Sequence, residues 1–410
     1  MQTHRVVLTG VGVTSPIGHT FDDVSAALRA ERGGIVTMRE WDRIGDLRTK
    51  LGGVADLELA GRYPRKKIRS MGRVSLLATY ATEAAIADAG LDPELVSSGR
   101  VGLAYGSTTG SSDAMEEFCG TLFTHYSLKG LSANSYLKMM SHTCAANLAL
   151  YFQIRGRIIP TCSACTSGAQ AIGYAYESVK YGLQEVMIAG GAEELHFASA
   201  ATFDLMFATS STYNERPDQS PRPFDAARDG LVIGEGAGTL VLEPYERAKA
   251  RGARIYGEIV GYGTNCDGAH VTSPSEEGMA GAMRLSLKDA GLGPAAIDYV
   301  NAHGTATEIG DLCESQATRK IFDRAVPISS SKSYTGHTLG ACGAIEAIFS
   351  LAMMRDRFLA PTRNLTVVDP RCGDLDYVRE VREAAPRVIM SNNFAFGGVN
   401  TSMILRAPDA

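Results

Sequence analysis

A short segment, Asp88-Ala89-Gly90-Leu91, recurs as Asp289-Ala290-Gly291-Leu292. Each copy ends an Ala- and Leu-rich helical pattern, and each precedes a turn, a strand pattern and a loop of small residues. Those loops are Gly106-Ser107-Thr108-Thr109-Gly110 and Gly304-Thr305-Ala306-Thr307. Further on, Pro160-Thr161-Cys162-Ser163-Ala164-Cys165 leads into a helix, as does Pro327-Ile328-Ser329-Ser330-Ser331-Lys332. Coincidence among common residues is one reading. The other is two related halves, 1–250 and 251–410, with loops of both meeting at a pseudo-twofold axis. Around the echo, β-branched runs such as Arg5–Val13, Arg100–Ala104, Glu185–Ala189 and Ile255–Gly263 alternate with helical patterns over Ser75–Ala89, Ser167–Tyr181, Gly278–Ala290 and Gly343–Met354. Strands separated by helices predict a layered α/β fold.

Composition narrows the function classes. The net charge of −5 argues against a nucleic-acid binder that relies on bulk positive charge. Hydrophobic residues make up 45% and charged residues 21%, which fits a globular core and excludes a disordered chain. No apolar run approaches the roughly 18 residues of a membrane span. The start, Met1 to Leu8, enters a strand pattern without the apolar stretch of a secretory signal. Eight cysteines without framework spacing point to a reducing cytoplasm.

The densest chemical segment is Thr161-Cys162-Ser163-Ala164-Cys165-Thr166-Ser167-Gly168. A strand pattern ends there and an amphipathic helix begins at Ser167. Cys165 therefore faces a helix start, whose dipole favours thiolate and predicts a pKa below the usual value of about 8.5. That is the layout of an activated nucleophile; the alternative is a small cysteine packed against a helix start. Cys162 and Cys165 form a CxxC, but no second CxxC and no neighbouring His support a metal site or redox dithiol. Asn301-Ala302-His303-Gly304-Thr305 places a His after a strand, and Ser331-Lys332-Ser333-Tyr334-Thr335-Gly336-His337 places Lys332 and His337 in a turn before a helix. Ser391 to Asn400 joins two strands through Gly397-Gly398, where backbone N–H groups can serve as oxyanion donors. Gly10-Val11-Gly12-Val13-Thr14-Ser15 breaks the dinucleotide pattern, and Ser329-Ser330-Ser331-Lys332 lacks the companion motifs of penicillin-binding enzymes.

Taken in order, the segments Val6 to Gly18, Ala164 to Gly168, Ser220-Pro221-Arg222-Pro223-Phe224-Asp225, Arg228-Asp229-Gly230, Gly234 to Gly238, Asn301 to Thr305, Lys332 with Thr335-Gly336-His337, and Phe396-Gly397-Gly398 resemble the β-ketoacyl-acyl-carrier-protein synthases nearly end to end. The resemblance implies the thiolase fold, with two similar halves in a five-layer αβαβα core. The first half, 1–250, carries the nucleophilic cysteine; the second, 251–410, carries the two histidines and the lysine. It implies decarboxylative Claisen condensation of an acyl-Cys165 with a malonyl-acyl carrier protein, in fatty-acid or specialised polyene or polyketide-type elongation. His303 and His337 would bind the malonyl thioester carbonyl, Lys332 completes the set, and the backbone N–H groups of Cys165 and Phe396 form the oxyanion hole. No metal and no organic cofactor is implied.

By the same resemblance Thr305 and Thr307 contact the pantetheine arm, Phe394 and Phe396 bind substrate with Phe396 as gate, and Thr108 lines the acyl pocket near a dimer partner. Glu346 and Asp311 match supporting acidic positions. The implied partners are acyl- and malonyl-loaded carrier protein and either a second copy or a ketosynthase-like sister chain. A silent chain-length-factor subunit is the rival reading, opposed by the presence of Cys165, His303, His337 and Lys332. The basic segment Arg65, Lys66, Lys67 and Arg69 reads either as a solvated face or as a docking patch for an acidic carrier protein. Ala395 stands where the family usually has Gly, Val399 for Thr, Asn393 for Ser and Tyr334 for Met. These departures read as signs of a specialised substrate.

Overall fold

Strands β1 (Val6–Thr14), β2 (Val101–Gly106), β3 (Ile158–Thr161), β4 (Val186–Glu193) and β5 (Gly236–Pro244) lie side by side in the order β1-β5-β4-β2-β3. Strands β6 (Gly257–Cys266), β7 (Tyr299–Asn301), β8 (Pro327–Ser329), β9 (Val388–Ala395) and β10 (Val399–Arg406) repeat that order as β6-β10-β9-β7-β8. In both sets the first two pairings are antiparallel and the last two parallel. The sets join where β1 meets β6 through Val6–Ile259, Val7–Glu258 and Leu8–Gly257. With the edge pair Asp376–Tyr377 beside β8, this makes one 11-stranded sheet among the described residues. This computed structural model describes residues 3–59 and 61–408.

Every residue of β1 and β4 is buried. A strand covered on both faces needs apolar or small side chains throughout rather than alternation, which is why these segments read as unbroken Val, Ala and Gly runs. Helix α1 (Arg73–Asp88) covers the outer face of β1 and β5. Helix α3 (Glu276–Ala290) does the same for β6 and β10, with α4 (Glu308–Ile321) beside it. Between the two sets of strands lie α2 (Ser167–Lys180) and α5 (Cys342–Asp356), touching each other and strands of both sets. All residues of α5 from Cys342 to Met354 are buried, as expected for a helix with no solvent-facing side. The layers therefore run helix, strands, paired helices, strands, helix.

The sequence echo is a clasp between helix and strand. The carboxylate of Asp88 accepts the backbone N–H of Val11 at 2.9 Å, and that of Asp289 accepts Tyr262 N–H at 3.1 Å. Each also accepts a tyrosine hydroxyl at 2.9 Å, Tyr256 at Asp88 and Tyr176 at Asp289. Tyr256 precedes β6 and Tyr176 lies on α2, so each clasp also ties one set of strands to the other. The strands approach the helices closely enough to require glycine: a Cβ at Gly12 would meet the Ala81 carbonyl oxygen at 1.9 Å, and one at Gly263 the Ala282 oxygen at 2.3 Å.

Helices Ser112–His125, Ala133–Met139 and Thr143–Phe152 were not foreseen from the sequence. Around the first two, Phe123, Tyr126, Leu128 and Tyr136 point outward, so apolar residues there mark no inward stripe; the third buries Cys144, Ala145 and Leu148 in the core while exposing Leu150. Replacing Gly12 by Val forces β1 away from α1. Overpacking of this kind costs about 1–3 kcal/mol, so Gly12→Val should lower the urea midpoint of unfolding without changing its slope.

Candidate active site

After β3 the chain passes through a tight turn, Ala164–Thr166, into α2. Ala164 adopts φ +49°, a left-handed conformation costly for a residue with a Cβ. Side chains hold it there: Thr166 Oγ1 donates to Ser163 O at 2.8 Å, Ser167 Oγ to Ala164 O at 2.7 Å, and Ser163 N–H to Ser167 Oγ at 2.9 Å. The second set of strands repeats the device ahead of α5, where the turn Leu339–Ala341 begins with Leu339 at φ +44°. The two turns touch, and a Cβ at Gly168 would meet the Gly340 carbonyl oxygen at 2.7 Å.

This contact brings the candidate residues of the two sets together. The Cys165 Sγ lies 2.9 Å from His337 Nε2. His303, in the loop after β7, stands with its ring 5.1 Å from that of His337 at 89°. Cys165, His303 and His337 each present a donor atom within 4.8 Å of the others, and all three are buried. Glu314 of α4 holds the His303 loop by accepting His303 N–H at 2.8 Å and Gly304 N–H at 2.7 Å. Backbone bonds to Val232 and Gly234 hold His337 at 2.7 and 2.9 Å. Lys332 Nζ is 2.5 Å from Glu346 Oε1, and Asn393 Nδ2 donates to Glu346 Oε2 at 2.7 Å.

The electrostatics differ from the expectation of a thiolate at a helix start. Burial pushes the Cys165 thiol up to about 12, and the Lys332 charge only partly opposes it. Burial, then Lys332, holds His303 and His337 well below the ordinary imidazole value. At neutral pH the site is thus a neutral thiol beside two neutral imidazoles. Three such donors also meet the spacing for a metal ion. Yet Nδ1 of both histidines lacks a partner among the described residues, whereas a metal-bound imidazole ordinarily gives its other N–H to an acceptor. The nearby Lys332 charge favours an anion over a cation. Asp311 accepts Phe224 N–H at 2.7 Å and Ala306 N–H at 3.0 Å, bracing the loop that carries Thr305 and Thr307.

A cavity of about 610 Å³ opens over this cluster, and Thr305, Thr307, Phe394 and Phe396 also line it. The hydroxyls of Thr305 and Thr307 lie 2.9 Å apart. Phe396 stacks on Phe203 at 5.3 Å. Ala395 pairs with Val399 at the end of the β9–β10 hairpin, leaving Gly397 and Gly398 at φ +84° and +72°. The turn is tethered through Gly397 N–H to Val271 O at 2.8 Å. Arg228, whose motif was noted without a role, reaches Thr307 O at 3.3 Å, Glu308 O at 2.9 Å and Asp369 at 2.7 Å. No signal in the sequence singled out Glu314, because a lone Glu on an amphipathic helix reads as a surface residue.

Three of the positions singled out in the sequence lie off this cavity. Thr108 is not among the residues lining it; its N–H donates to Glu193 Oε2 at 2.9 Å, and the same oxygen accepts Gly340 N–H at 3.0 Å. Thr108 is therefore joined to the turn before α5 through a buried carboxylate, and its carbonyl accepts the Cys162 thiol at 3.0 Å. Tyr334 does not line the cavity either. It is fully buried, with its hydroxyl 3.3 Å from Leu28 O. Arg65, Lys66 and Lys67 lie on the short exposed helix Arg65–Ile68, with Arg69 following, and none reaches the cavity.

Residues 3–248 match the β-ketoacyl synthase N-terminal domain and residues 256–366 the C-terminal domain. The chain belongs to the β-ketoacyl synthase family. It is 40% identical over 404 residues to 3-oxoacyl-[acyl-carrier-protein] synthase 1 of Escherichia coli K12, covering 98% of both chains. It superposes on a β-ketoacyl synthase from Burkholderia phymatum STM815 with a TM-score of 0.95 and 53% identity, covering 98% of this chain and 99% of that one. A type II PKS acyl-carrier protein in complex with its ketosynthase bound to the hexaketide matches with a TM-score of 0.90 and 30% identity, covering 99% and 100%. The five layers are those of the thiolase fold.

Since burial keeps the Cys165 thiol protonated in this family member, its alkylation by iodoacetamide in the carrier-free protein should accelerate with pH and show no plateau below about pH 10. Peptide-resolved mass spectrometry reads this directly; a plateau near pH 7 would contradict it. Replacing Glu314 by Ala leaves two buried N–H groups unpaired, at about 1–3 kcal/mol each, and should lower the melting temperature.

Proposed function

We propose that the chain is a 3-oxoacyl-acyl-carrier-protein synthase acting by decarboxylative Claisen condensation. The observation that carries this reading is the 2.9 Å contact of Cys165 Sγ with His337 Nε2, with a second neutral imidazole set against it in the same cavity. In the first step Cys165 attacks the carbonyl of an acyl thioester on the carrier's pantetheine arm. Its proton passes to His337, the bond from carbonyl carbon to pantetheine sulfur breaks, and the departing thiolate takes the proton. Thr305 and Thr307 hold the arm. Malonyl-carrier protein then binds with its thioester carbonyl toward His303 and His337. Their low pKa keeps them neutral, so each presents an N–H to oxygen rather than exchanging a proton with solvent. Carbon dioxide leaves as the bond from the α-carbon to the carboxylate breaks, and the electron pair becomes an enolate held by the two donors. The α-carbon attacks acyl-Cys165, the Cys165 thioester bond breaks, and the released thiolate takes one proton from solvent.

Backbone N–H groups of Cys165 and Phe396 would hold the tetrahedral oxyanion, with Phe396 as the gate and Phe394 beside His303. Lys332, charged and paired with Glu346, biases the site toward anions. This chemistry calls on no metal or organic cofactor.

The wider reading rests on surface features. The chain divides into halves 1–250 and 251–410, in keeping with the repeated strand order. Arg65, Lys66, Lys67 and Arg69 form a basic docking patch for the carrier protein. The edge of the sheet at β3, packed against the helix Thr143–Phe152 with its outward-facing Leu150, suits pairing with a second copy or a ketosynthase-like sister chain. No helix is long and apolar enough to cross a membrane among the described residues. The free cysteines accord with a cytoplasmic setting. Elongation belongs to fatty-acid or polyene and polyketide-type synthesis.

Incubation with acyl- and malonyl-carrier protein should yield an acyl adduct on Cys165 and a 3-oxoacyl product two carbons longer, both lost in Cys165→Ala. No adduct across a broad acyl panel would overturn the reading. His303→Ala should slow carbon dioxide release by roughly 10²–10³. Reversing charge at Lys66 and Lys67 should raise KM for carrier protein and flatten its salt dependence, with kcat kept.

A further inference from the structure

Cys342 opens α5 directly behind the nucleophile's turn, and nothing in the condensation chemistry uses it. Its thiol donates to the carbonyl oxygen of Cys165 at 3.2 Å. The same sulfur accepts from Asn393 Nδ2 at 3.6 Å, and the other hydrogen of that amide goes to Glu346 Oε2 at 2.7 Å. Glu346 in turn holds Lys332. The donors and acceptors run one way without conflict: ammonium to carboxylate, amide to carboxylate and to sulfur, thiol to carbonyl.

We propose that Cys342 and Asn393 are positioning residues for the nucleophile, tying the Cys165 carbonyl to the Lys332–Glu346 ion pair and so fixing the backbone that aims the Cys165 thiol. The need for such a tie is visible one residue earlier. Ala164 is left-handed, and a strained conformation persists only where its surroundings over-determine it. The threonine and serine bonds secure the start of the turn, and Cys342 secures the residue that reacts. Burial holds the Cys342 thiol well above the ordinary thiol range, with Lys332 only opposing that effect, so it remains a donor. Asn393 sits on β9 next to Phe394, which faces His303 at 6.0 Å. The strand that lines the cavity thus also carries the tie. Asn393 was noted in the sequence only as a departure from Ser, and the longer amide is what lets one side chain reach both the carboxylate and the sulfur.

The proposal rests on Cys165 being the acylated residue, but its test has an arm free of that reading. In the full chain, Cys342→Ala removes the donor and Cys342→Ser retains it. The rates to compare are Cys165 alkylation by iodoacetamide, acyl transfer from acyl-carrier protein, and carbon dioxide release from malonyl-carrier protein alone. Loss of one hydrogen bond predicts that Cys342→Ala slows alkylation and acyl transfer about fivefold. KM and carbon dioxide release, which depend on His303 and His337, should stay as in the wild type. Cys342→Ser should restore both slowed rates. Asn393→Ala added to Cys342→Ala should slow acyl transfer no further. Alkylation in Cys342→Ala as fast as in the wild type, a parallel fall in carbon dioxide release, or multiplying effects in the double variant would each overturn the proposal. Absence of an acyl adduct in the wild type would instead defeat the earlier reading, and the alkylation comparison would still decide this one.

Discussion

The contact between the two helix starts decides where chemistry can occur. At Gly168 and Gly340 the chain has no side chain to separate α2 from the turn before α5. The two inner helices therefore meet end to end at the boundary between the strand sets. Cys165 rides on one turn and His337 precedes the other. Their 2.9 Å separation follows from that approach. A side chain at Gly168 would push the nucleophile off its imidazole without touching either residue.

Burial is the second constraint, and it sets the charge state of the site. The helix start and Lys332 both favour a thiolate, yet removal from water outweighs them and leaves the thiol protonated. The same burial keeps both imidazoles neutral. Neutral donors beside a paired ammonium form an environment in which developing negative charge is stabilised most. Glu314 and Asp311 belong to this scheme as braces. Burial pushes them up to about 8 and about 6, and each spends its oxygens on backbone N–H groups of the loops that carry His303, Thr305 and the turn at Phe224.

Much of the fold could be read from the chain because its signals are local. The paired Asp-Ala-Gly-Leu segments mark helix ends whose aspartates clasp the neighbouring strands, and the unbroken Val, Ala and Gly runs mark strands covered on both faces. The two helices between Ser112 and Met139 escaped because several of their apolar residues face outward, where periodicity gives no cue to a core. Cys165, His303, His337 and Lys332 were legible as polar residues among small ones at strand ends. Glu314, Arg228 and Cys342 were not: each looks like an ordinary helix or loop residue, and its role depends on backbone groups distant in sequence. Thr108 touches the site only through groups distant in sequence, among them the carboxylate of Glu193.

The amino-acid sequence by itself determined the alternation of strands and helices, the internal repeat and the side-chain types offered at the candidate site. These rest on periodicity, turn residues and side-chain chemistry, all of which act over a few residues. The tertiary structure decided the charge state of Cys165 and both histidines, the pairing of Lys332 with Glu346, and the tie from Asn393 through Cys342 to the nucleophile. Desolvation and hydrogen-bond satisfaction depend on what surrounds a group in space. For this site the surroundings come from segments up to 177 residues apart along the chain.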